Sequence, residues 1–137
     1  MKKKLTTAAI FTRISLAVNI AVLIPVCFVL VAFATSEFVT AVIGPLTASR
    51  GILLSIYFAI LINSVILIWF HVRCSDKSAI EQMVVALLAT QILYKITTPA
   101  TVGVSNPIVL CNLAVSALHT YTLALLWRQY KKGQRAM

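Results

Sequence analysis

The chain has 137 residues, of which 61% are hydrophobic and only 11% charged, and it carries a net charge of +9. Soluble domains average about half apolar and about a quarter charged residues, so this composition excludes an ordinary soluble domain. It is also too apolar for a disordered chain. The composition therefore predicts a single small membrane domain over residues 1–137.

Four long apolar runs are separated by breaks, at about residues 14–35, 51–70, 80–96 and 107–127. Helices of these lengths rise about 25–33 Å, which is enough to cross the hydrocarbon core of a bilayer. The runs are continuous, whereas the strands of membrane barrels alternate apolar and polar residues. The predicted fold class is therefore all-α integral membrane, an antiparallel four-helix transmembrane bundle with both termini cytoplasmic.

The first run has a second interpretation, a cleaved signal peptide. Lys2, Lys3 and Lys4 would form its basic region, and Ala32-Phe33-Ala34 resembles a cleavage site. The apolar run is longer than the roughly 7–15 residues of a signal core, which favours an uncleaved first helix.

Residues 36–50 form the longest connection between the predicted spans. The apolar stretch at residues 38–43 is too short to cross a bilayer, and Pro45 interrupts the connection. An interfacial segment in the headgroup region and an ordinary packed loop both fit this pattern.

Helix signals mark the ends of the third and fourth spans. Residues 78–81, Ser-Ala-Ile-Glu, have the form of a capping box that opens the third span, and Pro99 is expected to close it. Asn106 followed by Pro107 predicts a capped start for the fourth span.

The placement of the basic residues predicts the orientation. All but two of the twelve lysines and arginines lie in segments that share one side of a four-span protein, and the two exceptions are Arg50 and Lys95. The positive-inside rule then places both termini in the cytoplasm, where the basic ends contact anionic headgroups. This distribution argues against nucleic acid as a partner, and the basic start and short loops favour a bacterial inner membrane.

Polar residues inside the spans are the candidate functional positions, because polar groups in hydrocarbon need partners. Four of them, one per span, lie at a similar depth of roughly 9–15 Å from the cytoplasmic side: Asn19, Asn63, Gln91 and His119. Hydrogen bonding between helices explains this layer, and a substrate or proton site is the alternative. The imidazole of His119 is the sharpest candidate, because histidine titrates near neutral pH.

Two of the predicted spans carry a polar stripe at helical spacing. The stripe on the fourth span consists of Asn112, Ser116, His119 and Thr120, and the stripe on the third consists of Gln91, Tyr94 and Lys95. Lys95 lies near the outer end of its span, so its ammonium is expected to extend to the interface, with contact to an anion or ligand as the alternative.

Few residues are suited to catalysis or metal binding. The three carboxylates, Glu37, Asp76 and Glu81, lie at or beyond the ends of the spans. The cysteines form no CxxC pair, and Cys27 and Cys111 are expected to be small apolar core residues. The sequence therefore predicts no catalytic set, no metal site and no cofactor.

Three functions fit these features. The first is a non-enzymatic accessory or interaction subunit that works through its helix faces, alone, as a homo-oligomer or with a membrane-protein partner. The second is a small oligomeric transporter or channel whose polar layer faces a shared cavity. The third is an enzyme acting on a lipid or quinone, with His119 as acid or base and Lys95 or Arg50 holding an anionic headgroup.

Overall fold

The protein was examined as a computed structural model that describes residues 5–134. Over that part of the chain it is all-helical and contains no strand, which confirms the predicted helical class. Four of the helices are long and apolar enough to cross a membrane, by length and composition. The five helices are α1 (Thr7–Ala32), α2 (Glu37–Ile43), α3 (Ala48–Arg73), α4 (Ser78–Val102) and α5 (Pro107–Gln134).

The four long helices pack in a closed order, because α1 and α4 each contact both α3 and α5. Side-chain hydrogen bonds join several of their ends. Thr6, which caps α1, donates to Gln129 near the end of α5 at 3.0 Å, and Gln129 donates to Glu81 at the start of α4 at 3.5 Å. Arg13 of α1 donates through Nε to Nδ1 of His71 near the end of α3 at 3.3 Å. We call this the terminal end of the molecule, and the opposite end, which carries α2, the α2 end.

The boundaries of α4 differ from the sequence prediction at both ends. The helix begins at Ser78 itself, and the Asp76 carboxylate accepts from the Ser78 amide at 2.9 Å, so the predicted capping box is wrong. Pro99 does not end the helix, which continues to Val102. The missing N–H of Pro99 removes the helical hydrogen bond to the Lys95 carbonyl, and the hydroxyls of Thr97 and Thr98 each donate at 2.8 Å to the preceding carbonyl, that of Tyr94.

The predicted start of α5 is confirmed. The Oδ1 atom of Asn106 accepts from the Ile108 amide at 2.9 Å, and Pro107 occupies the first helical position, where its missing N–H costs no hydrogen bond.

The connection between α1 and α3 folds into the short helix α2. Ser36 caps it by accepting from the Val39 amide, and Val39 is buried. The helix ends at Gly44, whose φ of 104° favours glycine over residues with a Cβ.

The apolar core forms two clusters separated by polar side chains. The cluster toward the terminal end consists of Ala8, Leu16, Leu67, Ile80, Val84, Leu88 and Leu126. The cluster toward the α2 end consists of Leu23, Cys27, Leu30, Val39, Tyr57, Ile60 and Leu61. In sequence, Asn19 on α1 and Ser64 on α3 lie between these two sets.

Candidate functional site

His119 is the centre of a buried hydrogen-bond chain that links three helices. Its Nε2 atom lies 3.0 Å from Oδ1 of Asn19, and its Nδ1 atom lies 3.3 Å from Oγ of Ser15, both on α1. Asn19 donates through Nδ2 to Oγ of Ser64 on α3 at 3.2 Å, and Ser64 donates to the Ile60 carbonyl at 2.8 Å.

The hydrogen-bond partners assign a direction to this chain. Because the Nδ2 atom of Asn19 is a donor toward Ser64, its Oδ1 faces the imidazole and accepts from Nε2–H. The Nδ1 atom of His119 is then an acceptor for the Ser15 hydroxyl, and Ser15 lies 2.8 Å from the hydroxyl of Thr122 on α5. The chain ends on a backbone carbonyl, so its groups satisfy one another within the protein.

Two of the sequence-predicted polar residues do not join the buried layer. Asn63 is exposed on the outer face of α3 and donates to the Ala59 carbonyl of its own helix at 2.9 Å. Thr120 is also exposed, so it does not belong to the inward stripe of α5. Their places in the layer are taken by Ser64 and Thr122, both fully buried.

Sequence reasoning placed Asn19 of α1 in the layer but missed Thr12 and Ser15 on the same helix. Thr12, Ser15 and Asn19 are all buried, and their spacing of three and four residues places them on one helix face. That spacing is present in the sequence. However, Thr12 and Ser15 lie close to the predicted start of the first span, where polar residues are common and do not by themselves indicate a buried position.

Lys95 does not extend toward the interface, so the prediction of a snorkelling side chain is wrong. The residue is only 5% exposed, and its ammonium donates to Oε1 of Gln91, one turn nearer the terminal end, at 2.8 Å. The ammonium also lies 5.0 Å from the ring centroid of Tyr94. The Gln91 amide nitrogen is buried without a hydrogen-bond partner among the described residues.

A cavity of about 630 Å³ lies between these helices toward the α2 end. Its lining is mainly apolar, and its polar members include Asn19, Tyr57, Tyr94, Lys95 and Asn112. This volume and this mixture of many apolar and few polar groups are typical of small-molecule binding sites, which span about 300–1,000 Å³. The cavity and the His119 chain share Asn19, which stands at their boundary.

The remaining candidates divide between the cavity and the core. Asn112 and Tyr94 are half-buried and line the cavity, whereas Ser116 is buried with no hydrogen-bond partner for its hydroxyl among the described residues. Cys27 is buried in the core as predicted, but Cys111 is exposed and lines the cavity, so the prediction for Cys111 is wrong.

The side chain of Arg50 is buried and hydrogen-bonded to the backbone of its own chain. It is 5% exposed, and its guanidinium donates to the carbonyl of Ala34 at 2.7 Å and of Gly44 at 3.2 Å. These bonds tie the segments before and after α2 to the first turn of α3.

Ser15, His119 and Asn19 have the side-chain types of a hydrolytic triad, but the surroundings do not suit that chemistry. A nucleophilic serine needs space beside Oγ for a substrate carbonyl. Ser15 and His119 are both 0% exposed, and neither lines the cavity. Ser15 and His119 are therefore closed to a substrate in the cavity, and their hydrogen bonds join α1 to α5.

Comparisons with known proteins add no assignment. No protein-family model, no curated protein and no solved structure matches this chain. Among residues 5–134, no group of three or more histidine, cysteine, aspartate or glutamate side chains is placed to hold a metal ion.

Proposed function

We propose that the chain is a four-span protein of a bacterial inner membrane that binds a hydrophobic ligand in the cavity between α1, α4 and α5. We further propose that it acts without catalysis, as an accessory or interaction subunit. The observation that carries this proposal is the cavity itself, whose lining is mainly apolar and includes several polar side chains.

The outer surface supports placement in a bilayer. Large apolar side chains are exposed on all four long helices, among them Phe28 at 62%, Phe58 at 56% and Leu93 at 63%. Apolar surface of this extent is typical of lipid contact. We propose an antiparallel bundle, with the ligand entering the cavity from the membrane.

Charge supports an orientation with both termini in the cytoplasm. The described basic residues that are not buried belong to the terminal end, and they are Arg13, Arg73, Lys77, Arg128, Lys131 and Lys132. The two basic residues toward the α2 end, Arg50 and Lys95, are buried. This asymmetry follows the positive-inside rule. Lys2, Lys3, Lys4 and Arg135 lie outside the described residues.

The His119 chain favours an accessory protein over a transporter or an enzyme. A transport site of the expected kind would turn the polar layer toward a cavity shared between copies. Here His119 bonds to Ser15 and Asn19 of the same chain instead. Bonds of this kind hold membrane helices together, at about 0.6 kcal/mol each and up to roughly 2 kcal/mol.

A cavity-filling substitution tests the proposal. Val26 lines the cavity, and Ile24, two residues away on α1, is 54% exposed and does not. We expect Val26→Trp to weaken binding of tritium-labelled oleyl alcohol and oleate by about tenfold or more in phosphatidylcholine nanodiscs, since the indole occupies the ligand's space. Ile24→Trp is the matched control and should bind like the unmodified protein.

Protein-free nanodiscs give the background, and Val42→Trp, which fills the same cavity from α2, replaces Val26→Trp if that variant does not fold. Absence of binding above background to the unmodified protein, or equal binding by all variants, would refute the proposed function.

A further inference from the structure

Lys95 places a cation in a cavity whose lining is mainly apolar. Its side chain is 5% exposed and lines the cavity, and the hydrogen bond to Oε1 of Gln91 joins the ammonium to a neutral amide. An ammonium has three N–H donors, and a buried charge is costly unless it is paired. The ring of Tyr94, 5.0 Å from the ammonium, supplies only a partial compensation.

Among residues 5–134, no carboxylate side chain is hydrogen-bonded to this ammonium, whose partner is Gln91. Glu81 lies in the first turn of α4, fourteen residues before Lys95, which corresponds to about 21 Å along the helix. Asp76 precedes that helix, and Glu37 is exposed at the start of α2. The counter-charge for Lys95 is therefore expected to come from outside the chain.

We propose that the cavity binds a single-chain amphiphile with one carboxylate, of the long-chain fatty acid class, with the carboxylate paired to the Lys95 ammonium. This inference rests on the proposed function, since it names the ligand class of the same cavity. The volume of about 630 Å³ suits a drug-sized molecule or one acyl chain.

The lining offers polar groups for the head and apolar walls for the tail of such a ligand. The polar groups include Lys95, Tyr57, Tyr94, Asn112 and Asn19. Apolar residues complete the walls and receive the acyl chain, among them Val22 and Val29 of α1, Phe38 of α2 and Leu53 of α3. Charge complementarity fixes the head, and apolar contact along the tail provides most of the binding energy.

Oleate and oleyl alcohol share one chain and differ in the headgroup, so they isolate the contribution of the charge. Binding to the full chain is measured in phosphatidylcholine nanodiscs at a pH that keeps the carboxylate ionised. We expect oleate to bind on the order of ten- to a hundredfold more tightly than the alcohol, as for hydrogen bonds to charged groups. Lys95→Met, which keeps the length of the side chain and removes its charge, should abolish this preference while still binding the alcohol.

Lys132→Gln, at an exposed position of the terminal end, is the matched control and should keep the preference. Equal affinity for oleate and the alcohol in the unmodified protein would overturn the inference and leave the proposed function standing. A preference that survives in Lys95→Met would also overturn it, as would displacement of oleate by phosphatidylglycerol at equal concentration. Failure of both probes to bind would refute the proposed function itself.

Discussion

The imidazole of His119 joins α5 to α1, because each of its two nitrogens forms a hydrogen bond with a side chain of α1. The Nε2–H donates to an amide oxygen and Nδ1 accepts from a hydroxyl. Removing the ring therefore leaves two buried polar groups of α1 without that partner, and the cost of a buried unpaired group exceeds the benefit of a typical bond.

Substitution of His119 is expected to weaken the fold, and substitution of its neighbour is not. His119→Ala should lower the free energy of unfolding by about 2 kcal/mol, from lost hydrogen bonds and the cavity left behind. Thr120→Ala is the control, since Thr120 is exposed, and should change stability by less than about 0.5 kcal/mol. Unfolding by sodium dodecyl sulfate in mixed micelles, followed by circular dichroism, measures both. Equal effects of the two substitutions would contradict the structural role of His119.

At this scale the sequence predicts which polar residue types lie in the spans, but not always which of two neighbours faces inward. Ser64 is buried and Asn63 is exposed, although the sequence analysis assigned Asn63 to the polar layer. A helix that is apolar all round carries little information about its rotation, because lipid and protein interior are equally apolar. The rotation is set by packing between helices, which a single sequence does not display.

At the scale of one element, α2 is held from its two sides by a residue of the next helix. Arg50 bonds the carbonyl of Ala34 before α2 and of Gly44 after it, and Asn106, the cap of α5, donates to the Val42 carbonyl at 2.9 Å. These bonds fix a short helix that would be marginal alone, since isolated helices shorter than about 12 residues are rarely stable.

Loss of the Arg50 side chain should therefore loosen α2 selectively. In Arg50→Ala we expect the amides of residues 39–44 to exchange hydrogen at least about tenfold faster, because hydrogen bonds to a charged group are worth about 1.5–3 kcal/mol. Hydrogen–deuterium exchange with mass spectrometry resolves this segment. Arg73→Ala removes an exposed arginine that stacks on Trp69 and serves as control. Unchanged exchange in Arg50→Ala would show that α2 is stable without this contact.

The existence of α2 was less predictable than the four long helices. The sequence left an interfacial segment and a packed loop open for residues 36–50, because a stretch of six apolar residues suits several conformations. The structure resolves the local conformation as a helix, with Ser36 as its cap and Gly44 at its end. The position of this helix relative to headgroups stays a prediction.

At the scale of the whole molecule, the helical class and the four long apolar helices were accessible from the sequence, because length and continuous hydrophobicity indicate a spanning helix directly. The cavity was not accessible, since it arises from the spacing between α1, α4 and α5 rather than from any one element. The buried position of Lys95 was missed for the same reason.

The proposed orientation makes Cys74 a reporter for the cytoplasmic side. Cys74 follows α3 at the terminal end and is half-buried. In a Cys27→Ala, Cys111→Ala background we expect a membrane-impermeant maleimide to label Cys74 in inverted membrane vesicles and to leave it unlabelled in intact spheroplasts.

A cysteine at the opposite end is the matched control. Leu46 is 63% exposed between α2 and α3, so Leu46→Cys combined with replacement of Cys74 by serine should react in spheroplasts. Labelling of both cysteines from the same side would exclude a spanning α3 and with it the proposed topology.

The contacts of His119 also have a consequence for the order of biosynthesis. The ring is separated by 104 residues from Ser15 and by 100 residues from Asn19, so its partners emerge from the ribosome long before it does. Until α5 is synthesised, α1 carries Ser15 and Asn19 without their hydrogen bonds to His119. A chain that ended before Pro107 would leave Ser15 without both of its partners, His119 and Thr122, whereas Asn19 would keep its bond to Ser64.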